Sequence, residues 1–398
     1  MTALGERDDF EDLVVSTALL LGLYPLFTKP GVRLRSGFFG PVERGLRAAG
    51  HDVQFVPADF RRFTRLLETL RPRVMGTVVA PPDASGRMSL SLHAGATTHE
   101  LRAAGSDPDR LLIVEVNPAL PRTFGLPPEA PHAIHVDEAD VIIEVATPLP
   151  VVPDAPGGEV EVRIAGHVTP FVHEGATLQT GIGAIPSQVV STLAEGSLGD
   201  FGIHSEMFTD GLMALHRAGK VSNTSKGLHE GISICTFAGG SEELYAWLDG
   251  NEDVRFLPVE AVNAPETIAA NRNMVCINGA LAIDLAGQVA ADTIGETQYS
   301  GVGGHEDFTG GPGLENSDRS FICLPSTAKV HGRVVSRITP AFEPGTAVTT
   351  PRHQLDVVVT EHGAAELAGL TVAERAAALI EIADPAFRDV LRKEAPQR

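Results

Sequence analysis

Residues 60–80, FRRFTRLLETLRPRVMGTVVA, combine a helical pattern with a strand pattern. Apolar residues recur at helical spacing over residues 60–70, as on the buried face of an amphipathic helix. Residues 74–80 form a short and mostly apolar run that ends at Pro81-Pro82, where the chain can no longer donate backbone hydrogen bonds to a neighbouring strand. The stretch therefore predicts an α-helix followed by a buried β-strand.

The same alternation continues along the chain. Residues 111–116 (LLIVEV) predict a second buried strand, stopped by Asn117-Pro118, and residues 141–145 predict a third. Strands that alternate with helices are typical of βαβ units, so we expect an α/β fold with a mainly parallel sheet. The apolar residues 13–27 are too short to span a bilayer and lack the basic flank of a signal peptide, which favours a buried helix.

The length of the chain predicts two domains. Its 398 residues exceed the roughly 250–300 at which a single hydrophobic core usually stops growing. Residues 150–165 are rich in Pro and Gly and predict a linker, which divides the chain into domains of residues 1–160 and 166–398. A second alternating section follows the linker, with helices predicted behind Pro186 and behind Asp210.

Charge and cysteine content exclude several classes of function. The formal net charge is −20, with 51 acidic against 31 basic residues, and such a surface repels nucleic acid and anionic membranes. Cys235, Cys276 and Cys323 are far apart in sequence and odd in number, so they favour neither a disulfide framework nor a zinc site. Free thiols fit a reducing compartment, and we expect a cytoplasmic location.

A glycine-rich turn occupies residues 181–186 (GIGAIP), between an apolar stretch and a predicted helix. Glycine lets a ligand approach the backbone closely, and the start of a helix presents free amides to an anion. The alternative is a tight strand-to-helix turn with no ligand. The third glycine of a dinucleotide fingerprint is absent, and there is no GKS or GKT phosphate loop.

Residues 201–211 (FGIHSEMFTDG) place two carboxylates in a predicted strand-to-helix loop, a position where α/β proteins carry their sites. Glu206 is the candidate for chemistry, although a solvated loop glutamate is the ordinary alternative. His204 is more typical of a hydrogen-bonded packing histidine than of a catalytic one.

A second glycine turn lies at residues 300–308 (SGVGGHEDF), followed by Thr309-Gly310-Gly311. The requirements of tight turns alone do not explain two glycine-rich segments in one half of the chain. They suit a site in which main-chain amides lie against a substrate carbonyl.

Several motifs occur in a fixed order over most of the chain: APPD at 80–83 with Gly86, EVN at 115–117 leading to PRT at 121–123, LQTGIGAIP at 178–186, GIHSEM at 202–207 with Asp210-Gly211, SGVGG at 300–304 with Asp307-Phe308, and VTEHG at 359–363. In these motifs, from about Asp83 to Leu391, the chain resembles the acetyl-CoA hydrolase/transferase family. The resemblance is greatest to its 4-hydroxybutyrate and butyryl-CoA:acetate CoA-transferase branch. It implies two open α/β domains of the CoA-transferase type, with the active site in the cleft between them.

The resemblance also implies site residues. The nucleophilic glutamate of the family matches Glu206, and the amides of Ile185 and Gly304 match the two donors to the thioester oxygen. Asn263 and Glu361 match positions that help to arrange the site. The implied coenzyme A-binding residues are those of the two glycine turns: Gly181, Ile182, Gly183, Ala184, Ile185, Gly301, Gly303 and Gly304.

The implied function is transfer of CoA from an acyl-CoA to a carboxylic acid, by a ping-pong mechanism through a glutamyl-CoA thioester. CoA is then a substrate, and neither a metal nor a tightly bound cofactor is needed. The implied partners are acyl-CoA and short-chain carboxylic acids, and a homodimer or higher homo-oligomer is expected. An acyl-CoA hydrolase and a non-catalytic acyl-CoA-binding protein remain alternatives, and a dinucleotide-dependent enzyme is disfavoured by the incomplete glycine fingerprint.

The sequence departs from the family at its beginning. Relatives usually start with a further βα unit, and this sequence starts at what resembles the helix after it. Either translation begins upstream of this sequence, or the first domain lacks that unit, in which case a neighbouring strand edge would be exposed. The chemistry is expected to be intact, because Glu206 and both glycine turns are present. Residues 309–320 are candidates for shaping the pocket of the acceptor acid.

Overall fold

The computed structural model describes residues 1–152, 157–312 and 317–395. In the first of these ranges, helices and strands alternate as the sequence predicts. The strands are Leu13–Thr17 (β1), Val32–Ser36 (β2), Val53–Phe55 (β3), Val74–Val79 (β4), Arg87–Ser89 (β5), Leu111–Val116 (β6), Ala133–His135 (β7) and Val141–Glu144 (β8). The α-helices are Pro41–Ala48 (α1), Phe63–Leu70 (α2) and Thr98–Gly105 (α3), and short 3-10 helices occupy Ala3–Glu6, Pro25–Thr28, Phe60–Arg62 and Val136–Glu138.

Two parallel three-stranded sheets organise the N-terminal half, in the orders β1-β2-β3 and β4-β6-β8. The predicted strands at 74–80, 111–116 and 141–145 are β4, β6 and β8, and the helical pattern at 60–70 becomes a 3-10 turn and α2. Leu101 of α3 packs with Val79, Leu112 and Val114 in one buried cluster. The opposite face of β4 carries Val74, which is exposed.

The helix predicted over residues 13–27 is wrong. Residues 13–17 form β1, and its alternating burial shows one face against the protein and one toward solvent. Val14, Val15 and Thr17 are β-branched and favour an extended backbone, and the parallel partner β2 satisfies their ladder hydrogen bonds. Pro25 begins only a short 3-10 helix.

The C-terminal half contains the larger sheet. Its strands are Thr177–Thr180 (β9), Gly202–Ile203 (β10), Met207–Phe208 (β11), Ser233–Cys235 (β12), Phe237–Ala238 (β13), Val254–Phe256 (β14), Met274–Gly279 (β15), Ala282–Asp284 (β16), Val289–Ala290 (β17), Thr293–Ile294 (β18), Thr297–Gln298 (β19), Arg319–Cys323 (β20), Thr327–Val330 (β21), Arg333–Ser336 (β22), Ile338–Thr339 (β23), Val357–Thr360 (β24) and Gly363–Glu366 (β25). Its helices are Glu159–Val168 (α4), Ala184–Glu195 (α5), Asp210–Arg217 (α6), Glu242–Leu248 (α7), Val259–Val262 (α8), Pro265–Ala269 (α9), His305–Gly310 (α10), Val372–Glu381 (α11) and Arg388–Glu394 (α12), with a 3-10 turn at Thr169–Phe171.

Six strands form the central sheet in the order β10-β9-β15-β20-β24-β25, and only the last pairing is antiparallel. Strands β9 and β24 are buried along their whole length. A large apolar cluster that includes Leu178, Val189, Ile277 and Val359 packs helices α4 and α5 against the sheet. Because the strands are parallel, the loops after β9, β10, β15, β20 and β24 meet at one carboxyl edge, where ligands bind in open α/β sheets.

Three local predictions need correction. Residues 159–168 are the helix α4, not a linker, and Ile164 and Ala165 bury its inner face; residues 153–156 of the predicted linker lie outside the described residues. Helix α5 begins two residues before Pro186, which still lies in its first turn, where the missing N–H costs nothing. Helix α6 begins at Asp210 itself, because the Asp210 carboxylate accepts hydrogen bonds from Ser241 instead of capping the helix.

The two halves touch beside the carboxyl edge of the large sheet. The Ala94 N–H donates to the Thr236 carbonyl at 2.8 Å, and the Thr64 hydroxyl donates to the Glu260 carboxylate at 2.7 Å. The Phe60 N–H donates to the Gly303 carbonyl at 2.9 Å. The N-terminal half therefore lies directly against the second glycine turn. Within the described ranges, no helix combines the length and the apolarity needed to cross a membrane.

Candidate active site

Glu206 lies in a short turn between β10 and β11 at the carboxyl edge of the sheet. Its backbone carbonyl accepts from the N–H groups of Thr236, at 2.9 Å, and Phe237, at 3.2 Å. The hydroxyl of the preceding Ser205 donates to the Thr180 carbonyl at the end of β9 at 3.2 Å. These contacts fix the backbone at Glu206 and join it to the strand that leads into the first glycine turn.

Among the residues that the structure describes, Asn263 is the side chain that donates to the Glu206 carboxylate. Asn263 Nδ2 donates to Glu206 Oε2 at 2.6 Å and to Asp307 Oδ2 at 2.9 Å, so a single amide bridges two carboxyl groups. Asn263 is fully buried, and so is the Asp307 side chain. The alternative of a freely solvated loop glutamate does not hold, because Glu206 is half-buried and its carboxylate is hydrogen-bonded to the buried Asn263.

Burial raises the pKa of Glu206 to about 8, with the hydrogen bond from Asn263 opposing the rise and the negative charge of Asp307 adding to it. Burial also raises the pKa of Asp307 to about 6, although Asn263 and Arg61 oppose the rise. At neutral pH Asp307 is therefore mostly ionised, while Glu206 without a ligand is mostly protonated. Perturbed carboxyl groups in a cleft are typical of functional sites.

Gly304 brings its backbone against this carboxylate. A Cβ at Gly304 would overlap Glu206 Oε2 and would lie 2.6 Å from Asn263 Nδ2. The neighbouring Gly303 has φ +57°, a conformation that side chains disfavour. Gly301 lies against the N-terminal half, since a Cβ there would lie 2.8 Å from the Gly37 carbonyl oxygen. The second glycine turn thus packs closely against the Glu206 carboxylate on one side and against the N-terminal half on the other.

The first glycine turn follows β9, the strand next to β10. Gly183 has φ +125°, which only glycine adopts without strain, and helix α5 begins at the next residue. Ile185 is the second residue of that helix, so its N–H belongs to the first turn, whose amides have no intrahelical acceptor. The turn therefore offers free backbone donors beside the loop that carries Glu206.

The structure brings Glu206, Asn263 and Gly304 together and places Glu361 elsewhere along the edge. Glu361 follows β24, four strands from β10, which corresponds to about 19 Å at the usual strand spacing. Its carboxylate accepts from the Ser326 N–H at 2.8 Å and from the Ser326 hydroxyl at 2.6 Å. Of residues 309–320, those at 313–316 lie outside the described residues.

His204 has the contacts of a packing histidine. It is buried, its Nε2 lies 2.8 Å from the Val262 carbonyl oxygen, and burial lowers its pKa to about 3. Asp210 is also outside the site, since both of its carboxylate oxygens face Ser241.

Lys226 is fully buried behind β10, where its Nζ donates to the carbonyls of Ile203, at 2.8 Å, and Ile232, at 2.9 Å, so its contacts are structural. Sequence analysis missed Asp307 and Arg61 as functional candidates. The available signal was weak: Asp307 lies near the end of the second glycine turn, whereas Arg61 belongs to a helical pattern in the other half of the chain.

The comparisons with known proteins identify the family of this chain. The model of the acetyl-CoA hydrolase/transferase C-terminal domain matches residues 240–395. The 4-hydroxybutyrate coenzyme A transferase of Clostridium kluyveri is 41% identical over 94% of this chain and 85% of that protein. The succinyl-CoA:cyclohexane-1-carboxylate CoA transferase of Geobacter metallireducens is 38% identical over 92% of this chain and 80% of that protein.

The similarity to known proteins extends to the three-dimensional fold. The crystal structure of RipA from Yersinia pestis superposes with a TM-score of 0.86 at 33% identity, covering 98% of this chain and 95% of that one. Acetyl-CoA hydrolases are more distant, as the Neurospora crassa protein illustrates: it is 30% identical over 77% of this chain and 62% of its own length. The chain belongs to the acetyl-CoA hydrolase/transferase family and, within it, is a CoA-transferase enzyme.

Proposed function

We propose that this enzyme moves CoA from an acyl-CoA to a short-chain carboxylic acid by a ping-pong mechanism through a glutamyl-CoA thioester on Glu206. The observation that carries the proposal is the Glu206 carboxyl group, desolvated and in contact with both Asn263 and the backbone of Gly304. The names of the relatives support acids of the 4-hydroxybutyrate, butyrate and acetate class as substrates.

The proposed reaction proceeds in two matched halves. The Glu206 carboxylate attacks the thioester carbonyl, the C–S bond breaks, and CoA leaves as the thiolate, which produces a mixed anhydride. The thiolate then attacks the γ-carbonyl of Glu206, releases the first acid as a carboxylate and leaves the glutamyl-CoA thioester. A second carboxylate attacks this thioester, and the same steps in reverse form the new acyl-CoA and restore Glu206.

Each attack forms a tetrahedral oxyanion. We assign its stabilisation to the backbone N–H groups of Ile185 and Gly304, one in each glycine turn. Loss of one such donor typically costs on the order of 10²–10³ in rate. The two turns, with Gly181, Gly183, Gly301 and Gly303, then form the walls against which CoA lies.

Asn263 and Glu361 have different proposed roles. The 2.6 Å hydrogen bond from Asn263 to Glu206 orients the nucleophile. Glu361, held by Ser326, would act at the far end of the cleft rather than on Glu206. The protein is further expected to form a homo-oligomer in the cytoplasm and to need no metal and no tightly bound cofactor.

Catalysis is expected to rise with pH on the acid side. Because the reactive form of Glu206 is the carboxylate and its pKa is raised to about 8, kcat/KM in the free enzyme should increase about tenfold per pH unit below that value and level off above it. Initial rates of transfer between about pH 5.5 and 9.5, measured at substrate concentrations far below KM, test this dependence on the nucleophile's ionisation. A flat profile across the acid half of that range contradicts a raised pKa at the nucleophile.

The proposal is tested by trapping the thioester. The purified protein is incubated with acetyl-CoA, with and without butyrate, and its peptides are analysed by mass spectrometry. We expect the mass of CoA less one water on the peptide containing Glu206, its loss in Glu206→Ala, and butyryl-CoA in the solution. CoA release that does not depend on butyrate supports the hydrolase instead. Binding of acyl-CoA with neither adduct nor turnover supports a non-catalytic acyl-CoA-binding protein.

A further inference from the structure

A short segment of the N-terminal half lies against the nucleophile's support. Asp59 and Gly303 pair as a parallel β-bridge, and the Phe60 N–H donates to the Gly303 carbonyl at 2.9 Å. The next residue, Arg61, forms an ion pair with Asp307 through its guanidinium group, and its backbone N–H donates to Asp307 Oδ2 at 3.3 Å. One tripeptide thus contacts both the glycine turn and the carboxylate behind Asn263.

Asp307 determines which end of the Asn263 amide faces Glu206. The Asn263 Nδ2 group donates to Asp307 and to Glu206, so both of its hydrogens are used, and its Oδ1 has no hydrogen-bond partner among the described residues. An ionised carboxylate can only accept. Asn263 must therefore turn its NH₂ group toward Asp307, and the same group then reaches Glu206.

We propose that Asp307, held by Arg61, is a positioning residue that keeps the Asn263 amide donating to Glu206, so that docking of the N-terminal half aligns the nucleophile. The inference rests on the proposed function and adds to it a link between the two halves of the molecule. Arg61, Asp307, Asn263 and Glu206 form a continuous chain of contacts that runs from one half into the other.

An ion pair that only joined the two halves of the chain would not need the carboxylate of Asp307 to be buried beside Asn263. Arg61 already has an acidic neighbour in its own segment, Asp59 at 3.1 Å, so Asp307 is not required to neutralise it. The Asp307 side chain is fully buried whereas that of Arg61 is 26% exposed. Burying a carboxylate is costly unless it is paired and hydrogen-bonded. Besides its ion pair with Arg61, Asp307 accepts a hydrogen bond from Asn263, and the same amide donates to Glu206.

The test is Asp307→Asn. The variant keeps the size of the side chain, but its own NH₂ group can donate to Asn263 Oδ1, which allows the Asn263 amide to turn its carbonyl toward Glu206. We expect kcat to fall about 10²-fold, as for misalignment of a reacting group, with KM for acyl-CoA changed less than about threefold. The CoA adduct on Glu206 should form correspondingly more slowly.

The pH profile separates positioning from a purely electrostatic effect. Asp307 is the charged group that faces Glu206, and Arg61 and Asp59 act on Asp307 from behind. Loss of the Asp307 charge alone lowers the pKa of Glu206, whereas loss of the stronger effect of the Asn263 hydrogen bond raises it. Positioning therefore predicts that the acid limb of kcat/KM moves to higher pH in Asp307→Asn, and a shift to lower pH overturns the proposal.

Variants at Arg61 keep the test valid if Asp307→Asn folds poorly. Arg61→Gln should lower kcat in the same direction, Arg61→Lys should restore part of it, and Arg61→Gln combined with Asp307→Asn should be no worse than Asp307→Asn alone. Arg62→Gln is the matched control, because Arg62 is 68% exposed and pairs with Asp59; its kcat should change less than about twofold, as for a surface ion pair.

The two proposals fail in different ways. If the wild-type protein forms no CoA adduct on Glu206, the proposed function fails. If the wild-type protein forms the adduct and Asp307→Asn and Arg61→Gln form it at the wild-type rate, only the positioning role fails.

Discussion

Replacing Glu206 by glutamine is expected to reduce CoA transfer by at least about 10⁴-fold, as the loss of a nucleophile does in other covalent enzymes. Glutamine has nearly the same shape and can keep a hydrogen bond with Asn263, so the loss reflects chemistry and not collapse of the site. Transfer rates and the yield of trapped adduct measure the effect. Glu129→Gln, at an exposed glutamate, is the matched control and should keep full activity.

The same variant is expected to be more stable than the wild-type protein at alkaline pH. The pKa of Glu206 is about 8 in the folded protein against 4.5 for an ordinary glutamate, so the folded state binds this proton more tightly than the unfolded state. The resulting stabilisation is complete below about pH 4.5 and is lost as pH rises through about 8.

The glutamine side chain of Glu206→Gln carries no titratable proton, so the unfolding free energy of this variant should fall less with rising pH than that of the wild type. A relative gain of a few kcal/mol at alkaline pH is the expected size. Urea unfolding at about pH 6 and about pH 9, on either side of the raised pKa, measures it for both proteins and for Glu129→Gln. Parallel pH dependence of Glu206→Gln and the wild type would show that Glu206 titrates normally.

Gly304→Ala is the second change expected to have a large effect, of about 10²-fold or more on kcat. The added methyl group would overlap the Glu206 carboxylate and must displace the nucleophile or the glycine turn, and a misplacement of about 1 Å costs around this much. The backbone at Gly304 has φ −88°, which alanine adopts freely, so the effect is steric and not conformational.

Gly166→Ala is the matched control for this substitution. Gly166 lies in helix α4, and a Cβ there would meet no atom within 4 Å, so the change should leave kcat unaltered and stabilise the helix slightly. Steady-state rates and thermal unfolding of both variants are compared. Wild-type kcat in Gly304→Ala would show that the carboxylate is not confined against this turn.

Sequence predicted the elements whose signals are local. The strands at 74–79 and 111–116 are short apolar runs bounded by proline or asparagine-proline. The prediction of a helix at residues 13–17 rested on apolarity and gave too little weight to the β-branched residues there. The pairing with β2 that completes this strand is not a local signal. The contact between Arg61 and Asp307 joins residues 246 apart and is visible only once the two halves are assembled.

The candidate site shows the same contrast between local sequence signals and long-range contacts. Glu206 and the two glycine turns occur in motifs that can be recognised directly, whereas the enclosure of Glu206 depends on Asn263 and Asp307 arriving from separate elements. Asp210 was predicted to lie directly before a helix, yet it is the first residue of α6 and its carboxylate accepts hydrogen bonds from Ser241, 31 residues away.

The desolvated surroundings of Glu206 have a consequence for what can reside at that position. They disfavour a full negative charge there and tolerate neutral groups, and a thioester is neutral. Conversion of the Glu206 carboxylate into its CoA thioester would thus replace a charged group by a neutral one. We therefore expect the glutamyl-CoA form to accumulate when no acceptor acid is present, which the yield of trapped adduct without butyrate measures.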